Sequence, residues 1–203
     1  MARDQKVIWT SPFHTRKARW LNTVLPPAAG TAALIAVDQR ASDALPNTRD
    51  QIIWSKRVST AGAIYTLAGA TAGPIVAGTL AHNPEVARVG RAGAEALASA
   101  FVVSSALKYS LGRQRPDEPG SHGHFFHGSD AFPSGHALTV WAVAAAIGHS
   151  RHTPKWLSLS CYAVATAVSL SRISARRHYP SDVLVGGVFG ALIGRYVAGK
   201  NAP

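Results

Sequence analysis

Six apolar stretches separated by basic polar connections constrain the fold of this chain more than any other feature of its sequence. Alanine and glycine are frequent in them, and such small residues let helices pack closely within a membrane. Charged residues make up only 15% of the chain, against roughly 25% in ordinary soluble domains. We therefore predict an all-α fold, a six-helix transmembrane bundle, from residues 21–37, 60–81, 92–107, 137–148, 156–170 and 183–198.

Two of these stretches are short for a membrane span. A bilayer-crossing helix needs about 20 mainly apolar residues, and stretches 137–148 and 156–170 reach that length only with their polar flanks. Hydropathy alone therefore leaves a soluble bundle open. Pro26, Pro27 and Pro74 favour the membrane, because neighbouring spans satisfy the backbone carbonyls that a proline frees.

The length of the chain predicts one domain, residues 1–203. Residues 1–20 form a polar N-terminal segment without the apolar run of a cleavable signal. If the amino terminus is cytoplasmic, the basic residues near helix ends agree with the positive-inside rule. The two long connections, 38–59 and 108–135, then both lie on the opposite side of the membrane.

The basic charge balance does not by itself identify a partner. A net charge of +11 suits nucleic acid, an anionic membrane surface or an acidic substrate. The sequence has no run of lysine and arginine of the kind that follows a phosphate backbone, so we expect membrane lipids and no nucleic acid as partners. No obligate protein partner is evident. The single cysteine, Cys161, lies in an apolar stretch and has no second cysteine to pair with.

Three clusters of polar residues each border an apolar stretch. In the six-span prediction they meet at one face of the membrane, where the third and fifth spans end and the fourth and sixth begin. The region 108–182 is therefore the predicted catalytic part of the chain. The clusters are Lys108 with Arg115 and Pro116; Pro133, Ser134, Gly135 and His136; and Ser171, Arg172, His178 and Asp182.

Fixed positive charges in these clusters favour phosphate as the ligand. Arg115 and Arg172 can each present a planar fork to phosphate oxygens, and Lys108 adds a point charge. Ser134 and Gly135 precede the fourth predicted helix, so their backbone N–H groups belong to a helix N-terminus, which binds anions. Each residue alone has an ordinary alternative, as a cation at lipid headgroups or a plain helix cap. Their combination predicts a phosphate-binding site.

The two histidines of the clusters suit the chemistry of phosphoryl transfer. Asp182 follows His178 by four residues and can accept a proton from one nitrogen of its ring, which leaves the other nitrogen free to attack phosphorus. His136 belongs to a different cluster and can act as general acid for the leaving group and then as general base for water. The pattern thus predicts a nucleophile, its orienting carboxylate and an acid.

At every specified position the clusters match the signature K-x6-R-P, P-S-G-H and S-R-x5-H-x3-D, so the chain resembles the membrane branch of the type 2 phosphatidic acid phosphatase (PAP2) superfamily. The resemblance implies a helical core shared with acid phosphatases and hydrolysis without a metal or other cofactor. In bacteria it implies an inner-membrane, multi-pass protein whose active site faces the periplasm. It assigns the nucleophile, acid and carboxylate partner to His178, His136 and Asp182, and the phosphate ligands to Lys108, Arg115 and Arg172.

These observations predict a membrane phosphatase that acts on a lipid phosphate or diphosphate through a phosphohistidine intermediate. The first alternative is a soluble non-specific acid phosphatase or a vanadate-dependent haloperoxidase, because both share the signature. The second is a binding or transport protein on the same scaffold. The motifs bind phosphate and not the tail, so phosphatidic acid, phosphatidylglycerol phosphate, undecaprenyl diphosphate and lipid A phosphates all stay open as substrates.

Other polar residues lie close to the motifs. We interpret three loop histidines as non-metal residues, since no cysteine or well-spaced carboxylate accompanies them: His122, His124 and His127.

Three further arginines can hold a second phosphate or an anionic headgroup, or can extend to the membrane surface. They are Arg113, Arg176 and Arg177. Glu95 lies in the third stretch and is expected to face the bundle or water, because a carboxylate that faces lipid is costly.

Overall fold

The protein is all-α in the computed structural model, which describes residues 2–10, 17–151 and 153–200. Residues 1 and 11–16 of the predicted N-terminal segment lie outside the described residues. The described part contains eight helices and no strand. They are α1 (Ala2–Thr10), α2 (Lys17–Asp43), α3 (Arg49–Thr60), α4 (Ile64–Leu80), α5 (Pro84–Leu111), α6 (Gly135–Gly148), α7 (Lys155–Ser174) and α8 (Pro180–Lys200).

Five of the six predicted apolar stretches lie within one helix each, namely α2, α5, α6, α7 and α8. The stretch 60–81 extends beyond α4 at both ends, and its first residue, Thr60, belongs to α3. The predicted all-α fold is therefore confirmed. Helices α1 and α3 were not predicted. Helix α3 begins conventionally, since the Thr48 side chain accepts a hydrogen bond from the Gln51 backbone N–H at 3.3 Å. It was missed because its buried face carries serine hydroxyls, Ser55 and Ser59, and not an apolar stripe.

Three helical segments of the described chain are long and apolar enough to cross a membrane, judged by length and composition alone. They are Arg49–Leu80, Lys155–Ser174 and Pro180–Lys200. Helix α6 is apolar but has only 14 residues. Helices α4 and α7 lie on the outside of the bundle and carry large apolar residues that are more than half exposed, as expected of a surface that contacts lipid. They are Tyr65, Leu80, Trp156 and Leu159.

Helix α6 lies at the centre of the fold, and helix α8 packs directly against it. Three glycines of α8, four residues apart, face the α6 backbone. A Cβ atom added at Gly186 would lie 2.7 Å from the carbonyl oxygen of the residue that caps α6, Ser134. One added at Gly190 or Gly194 would lie 2.3 or 2.2 Å from a carbonyl oxygen of α6 itself. Such close approach leaves no room for a side chain, and it fixes the register of α8 relative to α6.

Gly190→Ala is expected to destabilise the protein by about 1–3 kcal/mol, because the new methyl group would overlap the Leu138 carbonyl oxygen and the Trp141 Cβ atom. The measurement is the thermal unfolding temperature of the detergent-solubilised protein. Gly199→Ala is the matched control on the same helix, since nothing lies within 4 Å of its added Cβ. Equal unfolding temperatures for the two variants would contradict the tight α6–α8 contact.

Candidate active site

Four helix ends bring the sequence motifs together at one end of the bundle. Helix α5 carries Lys108 in its last turn and ends at Gly112, whose left-handed backbone (φ 47°) lets its N–H bond the Lys108 carbonyl. Helix α6 begins at Gly135. Helix α7 carries Arg172 in its last turn, and helix α8 carries Asp182 in its first turn. The loop 112–134 connects α5 to α6 at the same end.

A cavity of about 500 Å³ opens between helices α3 to α7. Lys108, His136 and Arg172 line one part of it, and apolar side chains that include Ile64 and Phe101 line another. The same two apolar residues also line a second cavity of about 420 Å³ between α4 and α5. The polar motif residues therefore border an apolar groove that continues between α4 and α5.

The two cations of the first motif share one carboxylate, that of Asp130 in the loop. Arg115 Nε donates to Asp130 Oδ1 at 2.6 Å, and Lys108 Nζ lies 3.7 Å from Asp130 Oδ2. Lys108 also donates to the Asp130 backbone carbonyl. The hydrogen bond from Arg115 holds the pKa of Asp130 below its ordinary range, and the Lys108 charge adds to this effect. Asp130 thus stays ionised and holds both cations side by side.

Arg172 is buried to 9% exposure and is held from helix α3. Its Nη1 donates to Ser59 Oγ at 3.2 Å, and Ser59 Oγ also lies 2.9 Å from Ser171 Oγ. Ser55 and Gln51, one and two turns closer to the N-terminus of α3, both donate hydrogen bonds to Ser174. The serine-bearing face of α3, which made this helix hard to predict from the sequence, therefore orients the guanidinium of Arg172.

Two buried polar atoms near this cation cluster make no hydrogen bond within the described part of the chain. They are Ser134 Oγ and Arg172 Nε. Ser134 is fully buried and occupies the N-cap position of α6 without capping it through its side chain. Gly135 follows, and a Cβ there would lie 3.2 Å from Ser104 Oγ and 3.5 Å from Lys108 Cε. Unpaired buried donors are costly, so both atoms suit an anion ligand.

His178 is 3% exposed and lies in the short connection between α7 and α8. Its Nδ1 lies 2.7 Å from the Ala131 carbonyl oxygen, which can only accept, so Nδ1 carries the proton. Burial lowers the pKa of His178 well below its ordinary value, and the charges of Lys108, Arg115 and Arg172 lower it further. The ring is therefore neutral at pH 7, with a free electron pair on Nε2. His136 lies within electrostatic range of His178.

Asp182 differs from the sequence interpretation in its contacts. Its Oδ2 lies 3.7 Å from His178 Nδ1, beyond hydrogen-bond distance, and instead accepts the Tyr179 backbone N–H at 2.8 Å. The acceptor for the Nδ1 proton of His178 is the Ala131 carbonyl and not the Asp182 carboxylate predicted from the sequence, because the loop brings Ala131 against the ring. Asp182 therefore orients the backbone of the His178 connection and contributes its charge at slightly longer range.

Arg113 lies in a buried ion-pair network and not at the membrane surface. Its Nη1 donates to Asp182 Oδ1 at 2.5 Å, and its Nη2 donates to Asp38 Oδ2 at 2.9 Å. Its guanidinium also packs on the rings of Phe125 and Tyr179 at 4.8 and 4.5 Å. The sequence interpretation of Arg113 as a second phosphate ligand or a surface cation is wrong, since both of its nitrogen edges are occupied by carboxylates.

The three loop histidines lie close together, with ring centroids 5.9 Å apart for His122 and His124 and 5.7 Å apart for His124 and His127. Among the described residues no group of three or more histidine, cysteine or acidic side chains has the geometry to hold a metal ion. Glu95, in the third stretch, pairs with Lys200 at the end of α8.

A family model described as the PAP2 superfamily matches residues 92–200, which is more than half of the chain and includes all three motifs. The chain belongs to the PAP2 superfamily. Its three helical segments of membrane-spanning length, and the fold that it shares with a transmembrane PAP2 phosphatase, support a membrane protein.

Similar PAP2 proteins include two named phosphatases. Lipid A 1-phosphatase of Porphyromonas gingivalis is 38% identical over 92 residues, which cover 44% of this chain and 19% of that protein. Decaprenylphosphoryl-5-phosphoribose phosphatase of Mycobacterium tuberculosis is 36% identical over 104 residues, which cover 49% of this chain and 56% of that protein. The matched regions thus span from about a fifth to about half of these curated relatives.

Two solved structures share the fold over most of their length. The transmembrane PAP2-type phosphatidylglycerolphosphate phosphatase from Bacillus subtilis superposes with a TM-score of 0.69 and 23% identity, over 88% of this chain and 95% of that one. LpxE from Aquifex aeolicus superposes with a TM-score of 0.58 and 18% identity, over 80% and 92% of the two chains. At these identities the likeness concerns the fold.

Proposed function

We propose that this PAP2 protein is a single-domain membrane phosphatase, residues 1–203, that hydrolyses a lipid phosphate or diphosphate through a phosphohistidine at His178. The observation that carries the proposal is a buried imidazole, 3% exposed, within electrostatic range of three fixed cations. Its Nδ1 is fixed by the Ala131 carbonyl, so Nε2 is the nucleophile. The names of the similar phosphatases support the same reaction class.

The first step forms a bond between His178 Nε2 and phosphorus and breaks the bond from phosphorus to the leaving oxygen. Lys108, Arg115 and Arg172 hold the equatorial oxygens, and the unpaired Ser134 hydroxyl and the Gly135 N–H add hydrogen bonds. His136 donates a proton to the leaving alkoxide, or to the leaving lipid phosphate of a diphosphate. In the second step His136 accepts a proton from water, which attacks phosphorus and releases inorganic phosphate from His178.

The apolar groove beside the cations accounts for a lipid substrate. Phosphate bound at Lys108 and Arg172 places the rest of the molecule next to Ile64 and Phe101, which line both cavities. An acyl or prenyl tail can then lie between α4 and α5 in contact with the bilayer. This continuity favours the lipid phosphatase over a soluble acid phosphatase or haloperoxidase. In a bacterial inner membrane the site would face the periplasm, as the positive-inside pattern predicts.

The test is phosphate release by the purified protein from phosphatidic acid, phosphatidylglycerol phosphate, undecaprenyl diphosphate and a lipid A phosphate, with and without a chelator. We expect release from at least one lipid and no loss of rate with the chelator. Faster release from a soluble phosphate ester than from every lipid would favour the soluble phosphatase alternative. Binding without release would favour the binding or transport alternative.

His136→Ala is expected to lower the rate of phosphorylation of the protein by a lipid phosphate by about 10²–10⁴-fold, the usual contribution of a general acid. The loss should be much smaller for an aryl phosphate with an acidic leaving group, since such a group departs without a proton. The measurement is single-turnover phosphorylation with both substrates. Equal losses on both substrates would contradict the assignment of His136 as the acid.

A further inference from the structure

We propose that a second anion-binding subsite, formed by Lys56 and Arg176 beside the catalytic cations, accepts a second phosphate of the same lipid substrate. The inference rests on the proposed phosphatase function and specifies its substrate class. Several cations near the motifs take no part in the proposed catalytic mechanism. They differ in whether they are already paired with a carboxylate.

Two of these cations are already paired with carboxylates. Arg113 is buried between Asp38 and Asp182 and is not accessible to a ligand. Arg177 Nη1 lies 2.5 Å from Asp117 Oδ2, in a pair that is partly exposed. Lys56 and Arg176 remain, and neither forms an ion pair with the described residues. Arg176 Nη1 makes one long bond, of 3.3 Å, to the Leu45 carbonyl.

A cavity of about 370 Å³ brings the remaining cations together. Lys56, Arg176, Arg177 and Asp117 line it, so three positive charges face one carboxylate. Such an excess of positive charge in a concave site favours a ligand with several negative charges. The volume accommodates a phosphate group together with its water.

The position of Lys56 connects this cavity to the catalytic site. Lys56 lines both the 370 Å³ cavity and the larger cavity that contains Lys108, His136 and Arg172. A ligand phosphate at Lys56 is therefore a neighbour of the phosphate that is cleaved, within the same molecule. A lipid diphosphate meets this requirement, and so does a headgroup that carries two phosphates. A lipid monophosphate has no second phosphate, so water would fill the subsite.

The backbone of Arg176 gives an independent reason to consider its side chain functional. Its φ is +55°, in the left-handed region, where a glycine would be favoured at the end of a helix. Its N–H bonds the Ile173 carbonyl at 2.8 Å, and the next N–H bonds the Arg172 carbonyl at 3.2 Å. A non-glycine residue in this conformation is uncommon, and strained positions cluster at ligand sites.

The test compares a polyprenyl diphosphate with the polyprenyl monophosphate of the same chain length, in detergent micelles without anionic lipid. For Lys56→Ala and for Arg176→Gly, we expect the KM for the diphosphate, divided by the KM for the monophosphate, to rise by about tenfold, the usual effect of one charge-assisted hydrogen bond. Arg176→Gly also relieves the left-handed backbone, so a binding defect in this variant cannot be ascribed to a strained fold.

Arg57→Ala is the matched control, because Arg57 is the neighbouring cation on α3 and packs on the Trp54 ring at 4.9 Å. It should leave the ratio of the two KM values unchanged. An unchanged ratio in both subsite variants would overturn the subsite, and so would an equal rise of KM for both substrates, which would indicate a general headgroup contact. Release of phosphate from neither polyprenyl lipid, by an unmodified protein that hydrolyses another lipid of the panel, would also overturn the subsite, whereas release from no lipid at all would instead refute the proposed function.

Discussion

Replacing His178 with alanine is expected to lower the rate of phosphate release by at least about 10³-fold, because the substitution removes the proposed nucleophile. The cation cluster remains, so the variant should still bind substrate and inorganic phosphate. The measurement is kcat on the best lipid of the panel, together with the inhibition constant for phosphate.

The fold should survive this substitution. The His178 ring is buried but makes only one hydrogen bond of normal length, to the Ala131 carbonyl. Its neutral state also means that no buried charge is left unpaired when the ring is removed. A rate within tenfold of the unmodified protein would exclude His178 as the nucleophile. Complete loss of substrate binding at an unchanged unfolding temperature would contradict binding by the cations alone.

Replacing Arg113 with alanine is expected to destabilise the protein by about 3–5 kcal/mol, because two buried carboxylates then lose their shared counter-charge. Asp38 and Asp182 are only 2% and 0% exposed at their side chains, so water cannot take over the role of the guanidinium. The loss is a large part of the stability of a domain of this size. The measurements are the unfolding temperature and the yield of folded protein in detergent.

Two companion variants test this account of Arg113. Arg113→Lys keeps the charge but lacks the planar fork that reaches Asp38 and Asp182 together, so it should be destabilised by less and still be impaired in kcat. Arg177→Ala is the control, since its pair with Asp117 is partly exposed and is expected to contribute only about 0–1 kcal/mol. An unfolding temperature for Arg113→Ala equal to that for Arg177→Ala would contradict the buried network.

The convergence of the motifs could be predicted because sequence spacing and apolar periodicity are local properties. Lys108, His136 and Arg172 border apolar stretches whose helices run in alternating directions, so their ends meet. The contacts of Arg113 could not be predicted in this way. Its partners Asp38 and Asp182 lie 75 and 69 positions away in the sequence, and only the packing of α2 on α8 brings them together.

One signal in the sequence did point to that network. Asp38 directly follows the apolar stretch 21–37, and a carboxylate at such a position needs a buried partner or water. Asp130 and Ala131 gave no such signal, because the sequence of a loop does not reveal which of its groups face the site. The hydrogen bond from His178 to the Ala131 carbonyl therefore appears only in the folded chain.

Trapping of the phosphoenzyme shows directly whether His178 attacks phosphorus. The purified protein is mixed with a lipid phosphate, quenched in alkali within one turnover, digested and analysed by mass spectrometry. We expect one added phosphoryl group on the peptide that contains His178. This group should be absent in His178→Ala and should be lost on brief acid treatment, as expected of a phosphorus–nitrogen bond. A phosphoryl group on any other residue, or rapid turnover with no phosphoenzyme at any time point, would contradict attack by His178.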